Sequence, residues 1–414
     1  MATDIWTRSP YFYKIRGGAT AVTATLKIAI TSGNQPAVWP GGEQYTLSGT
    51  MIDIGSGITQ INFEVAELLK DYIKPGFDYT NGAYAQNNAR NYSTVWVEFR
   101  HELFDSAGTS LGVTDDLGYT AWYGYTEYHL GSQNNLRQVR RVANILQTNK
   151  KILRPYGKKI ILPINPNHND RIEFYCKGDL VYSIEPANSP DSADLITYIE
   201  VSDGLDSWTK KISDSFGNII EDNPASKTLQ CRFDSDCVDT IWLRVKGDAF
   251  KIEVETVRDT GYEPVKVTFI NSWGALQDVY FFAKSMSGLS VKATGFKRNL
   301  IQNDEWGQDS DYYMSQHQDS ILNKNGKQSF TLNTGFYPEE FNIVFEELLL
   351  SEQVWINKNY LNDYDFGYIF NEENNKVPVK ITTSSIGFKT SKDDKLINYT
   401  MGFEAAFSAV QDIR

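Results

Sequence analysis

Enzyme chemistry needs nucleophiles, titratable groups or metal ligands held close together, so histidines, cysteines and clustered carboxylates are weighed first. The 414-residue chain has four histidines, His101, His129, His168 and His317. No two stand one helical turn apart, whereas a zinc site wants ligands that converge, often two at short spacing. They read as solvated or singly hydrogen-bonded side chains. Cys176, Cys231 and Cys237 are odd in number and form no C-x-x-C pair. That pattern predicts free, mostly buried thiols rather than a disulfide framework.

The carboxylates come nearer to a site. Asp234-Ser-Asp236 with Asp239, Asp309-Ser-Asp311, and Asp363-Tyr-Asp365 with Gly367 place acidic side chains at alternate positions, as calcium loops do. None has both the glycine and the final glutamate of an EF-hand, so each reads as a solvated turn. A glycosidase needs only two facing carboxylates. The 52 Asp and Glu supply the residue type, but no recognisable motif surrounds a pair. There is no Gly-x-Ser-x-Gly elbow and no phosphate-binding loop. The expectation is a protein that is not an enzyme, with no catalytic residues, no metal site and no cofactor.

Charge is distributed unevenly. The net charge is -12, yet the stretch from His129 to Asn169 holds no Asp or Glu. It carries Arg137, Arg140, Arg141, Lys150, Lys151, Arg154, Lys158 and Lys159, a local +8 that leaves -20 elsewhere. Such asymmetry asks for a partner of each sign. One reading is a basic arm lying on an acidic surface of a neighbouring subunit, with these eight residues at the interface. The other is a linker held against this chain's own acidic domains, and the sequence leaves both open. Overall acidity argues against non-specific nucleic-acid binding and against docking on an anionic membrane. The basic stretch also has few aromatics on which bases would stack. No run approaches the ~18 apolar residues of a membrane helix. Met1–Trp6 lacks the basic and apolar regions of a secretory signal, so synthesis in a cytoplasm is expected.

The elements that position these residues are read from composition and periodicity. With 24 Tyr, 22 Phe and 9 Trp against 5 Met, the chain favours pleated, half-buried surfaces over long helices. The predicted fold is mainly β and multi-domain, with β-sandwich-like segments and two short amphipathic helices. Segment 1-150 is β-rich, with strands at 9–15, 24–30 and 94–100 and one helix. Val65, Leu68, Leu69, Tyr72 and Ile73 supply its apolar stripe, and Lys74-Pro75-Gly76 ends it. Segment 151-258 reads as a small all-β sandwich with strands at 160–164, 172–176, 196–201 and 240–245. Segment 259-414 combines a hairpin about Asn271-Ser-Trp-Gly274 with a second helix. That helix is signalled by Phe341, Val344, Phe345, Leu348 and Leu349 behind Pro338-Glu-Glu340. Two long strands, Val379 to Thr390 and Leu396 to Phe407, are expected to close the chain and to offer an edge to a neighbour's sheet.

Several stretches resemble a known group. Val267-Thr-Phe-Ile-Asn-Ser-Trp-Gly-Ala-Leu-Gln-Asp-Val-Tyr-Phe-Phe282, Ser290-Val-Lys-Ala-Thr-Gly-Phe-Lys297, Glu346-Glu-Leu-Leu-Leu-Ser-Glu-Gln-Val-Trp355 and Asp394-Lys-Leu-Ile-Asn-Tyr-Thr-Met-Gly-Phe-Glu404 are similar to parts of virion structural proteins of tailed phages and prophages of Bacteroidetes-type bacteria. Ser9-Pro-Tyr-Phe12, Leu68-Leu-Lys-Asp-Tyr-Ile73 and Gly124-Tyr-Thr-Glu-Tyr128 resemble the openings of such proteins. The resemblance implies an oligomeric tail-hub, distal-tail or baseplate adaptor located in the virion, whose partners are other tail proteins and copies of itself. It carries no catalytic motif and is thin between 151 and 258. The rival expectation is a glycan- or receptor-binding β-sandwich module, motivated by the 13% aromatic content. Trp39, Trp122, Trp208 and Trp306 lie beside turns and would be its sugar-stacking platforms, unless they cover sandwich ends.

Overall fold

The computed structural model describes residues 3–31, 36–73, 94–126, 148–156, 160–164, 171–184, 197–204, 207–213, 219–222, 238–245, 248–258, 261–300, 302–303, 310–311, 315–357, 376–387 and 395–408. Its architecture is mainly β, in several sheets, as the composition predicts.

In the first segment the strands are β1 (Thr3–Trp6), β2 (Phe12–Gly18), β3 (Thr23–Thr31), β4 (Tyr45–Thr50), β5 (Ile52–Gly55), β6 (Ile58–Glu64), β7 (Thr94–Phe104) and β8 (Ser110–Trp122). They form a five-stranded sheet in the order β1-β8-β7-β3-β4 and a three-stranded sheet in the order β2-β6-β5. Alternation decides which faces meet. Ala24, Leu26, Ile28 and Ile30 of β3 and Val95, Val97 and Phe99 of β7 point to one side, and Tyr13 and Ile15 of β2 close on them. Helix α1 (Ala66–Lys70) is shorter than the apolar stripe suggests. Val65, Leu69 and Ile73, at intervals of four, still all enter that core.

The second segment contains β9 (Lys151–Pro155), β10 (Ile160–Ile164), β11 (Arg171–Cys176), β12 (Asp179–Ile184), β13 (Thr197–Gly204), β14 (Ser207–Ser213), β15 (Ile219–Asp222), β16 (Val238–Val245) and β17 (Asp248–Val257). They form two sheets, β10-β13-β14-β15 and β12-β11-β16-β17-β9. The first and last of these strands, β9 and β17, are parallel neighbours in the register Lys151↔Glu253 to Pro155↔Val257. Entry and exit therefore lie side by side.

The third segment holds β18 (Val265–Ile270), β19 (Leu276–Phe281), β20 (Met286–Lys297), β21 (Gln302–Asn303), β22 (Ser310–Asp311), β23 (Asp319–Asn333), β24 (Tyr337–Pro338), helix α2 (Asn342–Leu349), β25 (Val354–Asn357), β26 (Lys376–Ile381), β27 (Leu396–Ile397) and β28 (Thr400–Ala405). Seven strands pair in the order β19-β18-β25-β26-β28-β23-β20. A 3-10 turn, Glu339–Phe341, leads into α2, which lays Val344, Phe345 and Leu348 on a core with Phe269, Phe281, Phe330 and Phe403.

The chain's ending differs from the expected pair of long strands. β26 stops at Ile381, and the last strand divides into β27 and β28. The division has a cause: Tyr399 N donates to Thr334 Oγ1 at 2.9 Å, its hydroxyl reaches Asn342, and β27 turns aside to pair with β24. Nor is there a free edge, because β28 lies between β26 and β23.

First and third segments share side chains. Ile270, Leu276 and Trp355 belong to the same core as β2, β3 and β7. Trp6 of β1 packs 5.7 Å from Trp122 and edge-on to Trp273 at 5.6 Å. The β18–β19 turn is closed from within, since Asn271 Oδ1 accepts from the backbone N–H of Trp273 and of Ala275. Gly274 has φ +78, and a Cβ there would stand 2.7 Å from the Tyr123 carbonyl carbon. Both the left-handed conformation and the backbone contact exclude a side chain. Gly274→Ala should therefore destabilise the protein by about 2 kcal/mol or more, read as a lower denaturant midpoint in equilibrium unfolding. An unchanged midpoint would mean that the two segments are not joined at this turn.

Candidate functional site

The basic stretch divides on inspection. Lys150 is exposed, Lys151 is paired with Glu255 at 3.0 Å, and Arg154 is buried on β9. Lys151 is thus paired within the chain's own second segment, where Arg154 is also buried. Arg137, Arg140, Arg141, Lys158 and Lys159 lie outside the described residues, as do His129, His168, Cys231, Cys237, Trp306 and the acidic groups at 234–236 and 363–365. His101 is half-buried and His317 exposed. Cys176 is a half-buried free thiol. Among the described residues no group of three His, Cys, Asp or Glu is placed to hold a metal ion, and no helix is long and apolar enough to cross a membrane.

The aromatic platforms change standing. Trp122 is fully buried, with its indole Nε1 donating to Asp4 Oδ1 at 3.0 Å, so no sugar can stack on it. Trp39 is half-buried and has the Arg100 guanidinium 4.7 Å from its ring centroid. The side chain of Trp208 lies outside the described residues. Trp122 was readable as a turn residue because Gly124 follows it. Its burial depends on Trp6 and Trp273, far away in sequence.

Where the segments meet, two polar clusters form. Glu352 accepts from Lys70 Nζ at 3.0 Å, from Arg8 Nε at 3.2 Å and from the Tyr123 hydroxyl at 2.5 Å. Burial works to raise its pKa, but the Tyr123 hydrogen bond and the two cations outweigh that and hold the carboxyl below its ordinary range. Deeper inside, Glu347 Oε1 of α2 accepts from Ser272 Oγ at 2.5 Å and from Thr148 Oγ1 at 2.6 Å. Asn271 Nδ2 donates to Gln277 Oε1 at 3.0 Å, and Gln277 Nε2 donates to Asn149 Oδ1 at 3.2 Å. These groups form a joint between the segments, in which each donor's acceptor is another residue of the chain.

A third cluster lies on β7 and β8. Asp116 Oδ2 accepts from the hydroxyls of Tyr119 at 2.5 Å and Tyr13 at 3.2 Å. Nearby, Glu98 is fully buried opposite a bulge, and its Oε2 accepts from Gly118 N–H at 2.6 Å. Its Oε1 has no hydrogen-bond partner among the described residues. Burial first, and then the charge of Asp116, push the Glu98 carboxyl up to about 7 against the Gly118 hydrogen bond.

The surface with the clearest unmet requirement is a ribbon. β20 pairs with β23 along its whole length, whereas β28 pairs with β23 only from Ser329 to Asn333. Residues 289–297 and 319–328 thus project from the seven-stranded sheet by about 30 Å at strand rise. Every residue of β20 is exposed. Sequence reading missed this face, although the alternation Leu289, Val291, Ala293 with polar residues between was there to be seen.

Compared with protein-family profiles, curated proteins and solved structures, the chain matches none.

Glu98 gives a pH signature. Folding raises its pKa from 4.5 to about 7, so the folded chain keeps a proton that the unfolded chain releases. Stability from neutral Glu98 is present in full below pH 4.5 and is lost as pH rises to about 7. Glu98→Gln keeps an acceptor for Gly118 and cannot ionise. It should melt higher than the parent at pH 8, by the equivalent of about 2 kcal/mol, and match it more closely at pH 5. Parallel melting curves at both pH values would show that Glu98 does not carry this dependence.

Proposed function

We propose that the chain is a structural subunit of a tailed-phage virion, an adaptor of the tail hub, distal tail or baseplate that acts through protein–protein interfaces. The observation that carries the reading is where the family-like stretches lie. Residues 267–282 are β18, its turn and β19; 346–355 run from α2 into β25; 394–404 contain β27 and most of β28. Those at 68–73 and 124–128 meet the same body, through Lys70 on Glu352 and through Tyr125 N donating to Ser272 O at 3.0 Å, and 9–12 joins them where Thr126 N donates to Ser9 Oγ at 2.8 Å. The likeness therefore runs mostly along the scaffold of the first and third segments, with 290–297 on the exposed β20, and is thin in the second segment.

The physics of the surface agrees. Carboxylates and cations at the joint are spent on each other, and the outward features are a projecting ribbon and an uneven charge. Both suit assembly better than turnover. The test is direct. Particles purified from a producing culture by density gradient should yield peptides of this chain in a fixed ratio to the other tail proteins by mass spectrometry. Finding it only in the soluble lysate, or only bound to glycan resin, would overturn the reading.

A further inference from the structure

The alternation of a strand pair sorts ribbon side chains onto two faces. On β20 the odd positions Leu289, Val291 and Ala293 share a face, and their partners on β23 are Gln328, Gly326 and Lys324. Beyond a bulge at Thr294/Gly295, Ile321 opposite Gly295 joins them. The other face carries Ser290, Lys292 and Thr294 against Lys327, Asn325 and Asn323. Up to the bulge the ribbon is therefore amphipathic, and beyond it Leu322 and Phe296 are exposed as well. Its apolar side continues the side of β23 on which Phe330 and Leu332 are buried in the core. Past the end of β28 no described residue covers it, and Leu289 is 59%, Val291 48% and Ile321 58% exposed.

An isolated two-stranded ribbon is marginal in water, and an exposed apolar face next to an unpaired edge invites another chain. The lysines and the bulge are the usual guards of such an edge. They do not account for apolar residues on the face itself. Charge narrows the occupant. Residues 286–298 and 319–328 carry Lys292, Lys297, Arg298, Lys324 and Lys327 against Asp319, a net +4 on a chain of net -12. Lys327 is paired with Glu404 at 2.6 Å, Lys292 also acts on that carboxylate, and Lys292, Lys297, Arg298 and Lys324 are exposed. The remaining -16 of every other copy is the complementary surface.

We propose that the β20–β23 ribbon is an arm that docks on a second copy of this chain. The apolar face of Leu289, Val291 and Ile321 is covered by the neighbour, and the flanking cations lie on its acidic surface. The contact is heterologous, since arm and acceptor are different patches, so repetition builds a closed ring or a stack. The inference deepens the subunit reading and rests on it for the need to assemble.

The test uses full-length protein and light scattering over a range of concentrations at low and high salt. The parent should reach a multiple of 47.0 kDa that falls as salt rises. Leu289→Thr, Val291→Thr and Ile321→Thr together keep β-favouring residues at exposed positions and should hold the protein at 47.0 kDa with an unchanged melting temperature. A second variant, Lys292→Glu with Lys324→Glu, leaves Leu289, Val291 and Ile321 in place and should weaken assembly about tenfold at low salt. A parent that stays monomeric throughout, or variants that assemble as the parent does, would overturn the arm. If the chain is nonetheless present in purified particles, the subunit reading survives that failure. Arm-dependent rings from a chain absent from particles would give the reverse result.

Discussion

A buried turn must satisfy its own backbone, and the five residues Asn271–Ala275 do so with two backbone hydrogen bonds and one side chain. Asn271 Oδ1 takes two backbone N–H groups, and its amide reaches Gln277. Water cannot enter to replace these bonds, so each unmade one would carry its full desolvation cost. With the turn closed internally, its outer atoms are free to hold everything else. Ser272 receives Tyr125 on its carbonyl and donates its hydroxyl to Glu347; Trp273 fills the space beside Trp6; Gly274 lies against Tyr123. The first segment, the third segment and the start of the second are all referred to this hairpin tip.

That arrangement explains how much of the fold was legible. Strands β10 and β11 stand nearly where alternation and turn residues place them, because local periodicity reports which face is buried. The α2 stripe is likewise legible, down to Phe341, Val344, Phe345 and Leu348. The ending was misread because Tyr399 leaves the ladder for partners at Thr334 and Asn342, a choice no local pattern records. Trp122 stood open between a sugar platform and a covered end, and its partners Trp6 and Trp273, distant in sequence, decide for burial. The sharing of a core between segments some 150 residues apart is a tertiary fact, carried by Ile270, Leu276 and Trp355, whose neighbours in sequence belong to another core.

Of the candidate site, sequence made the uneven charge visible but not its use. Lys151 and Arg154 belong to the basic run by count, yet one is paired to Glu255 and the other buried on β9. Composition cannot separate a cation that faces a neighbour from one that faces its own sheet. The ribbon escaped notice for the opposite reason. Its alternation is that of an ordinary half-buried strand, and only the register, with the pairing of β28 to β23 ending at Ser329, leaves the apolar half uncovered by any described strand.

The parallel pairing of β9 with β17 also governs how the molecule would bear load. Tension entering near Thr148 and leaving near Arg258 pulls the two strands in opposite directions along their length. Their five register pairs then resist as a shear lap joint, all strained at once, instead of opening one after another like a zipper. The second segment thus hangs from the scaffold by a clasp that forces along the chain tighten evenly. A pull on its far sheets would bypass the clasp and fall on the β10–β13 hydrogen bonds instead.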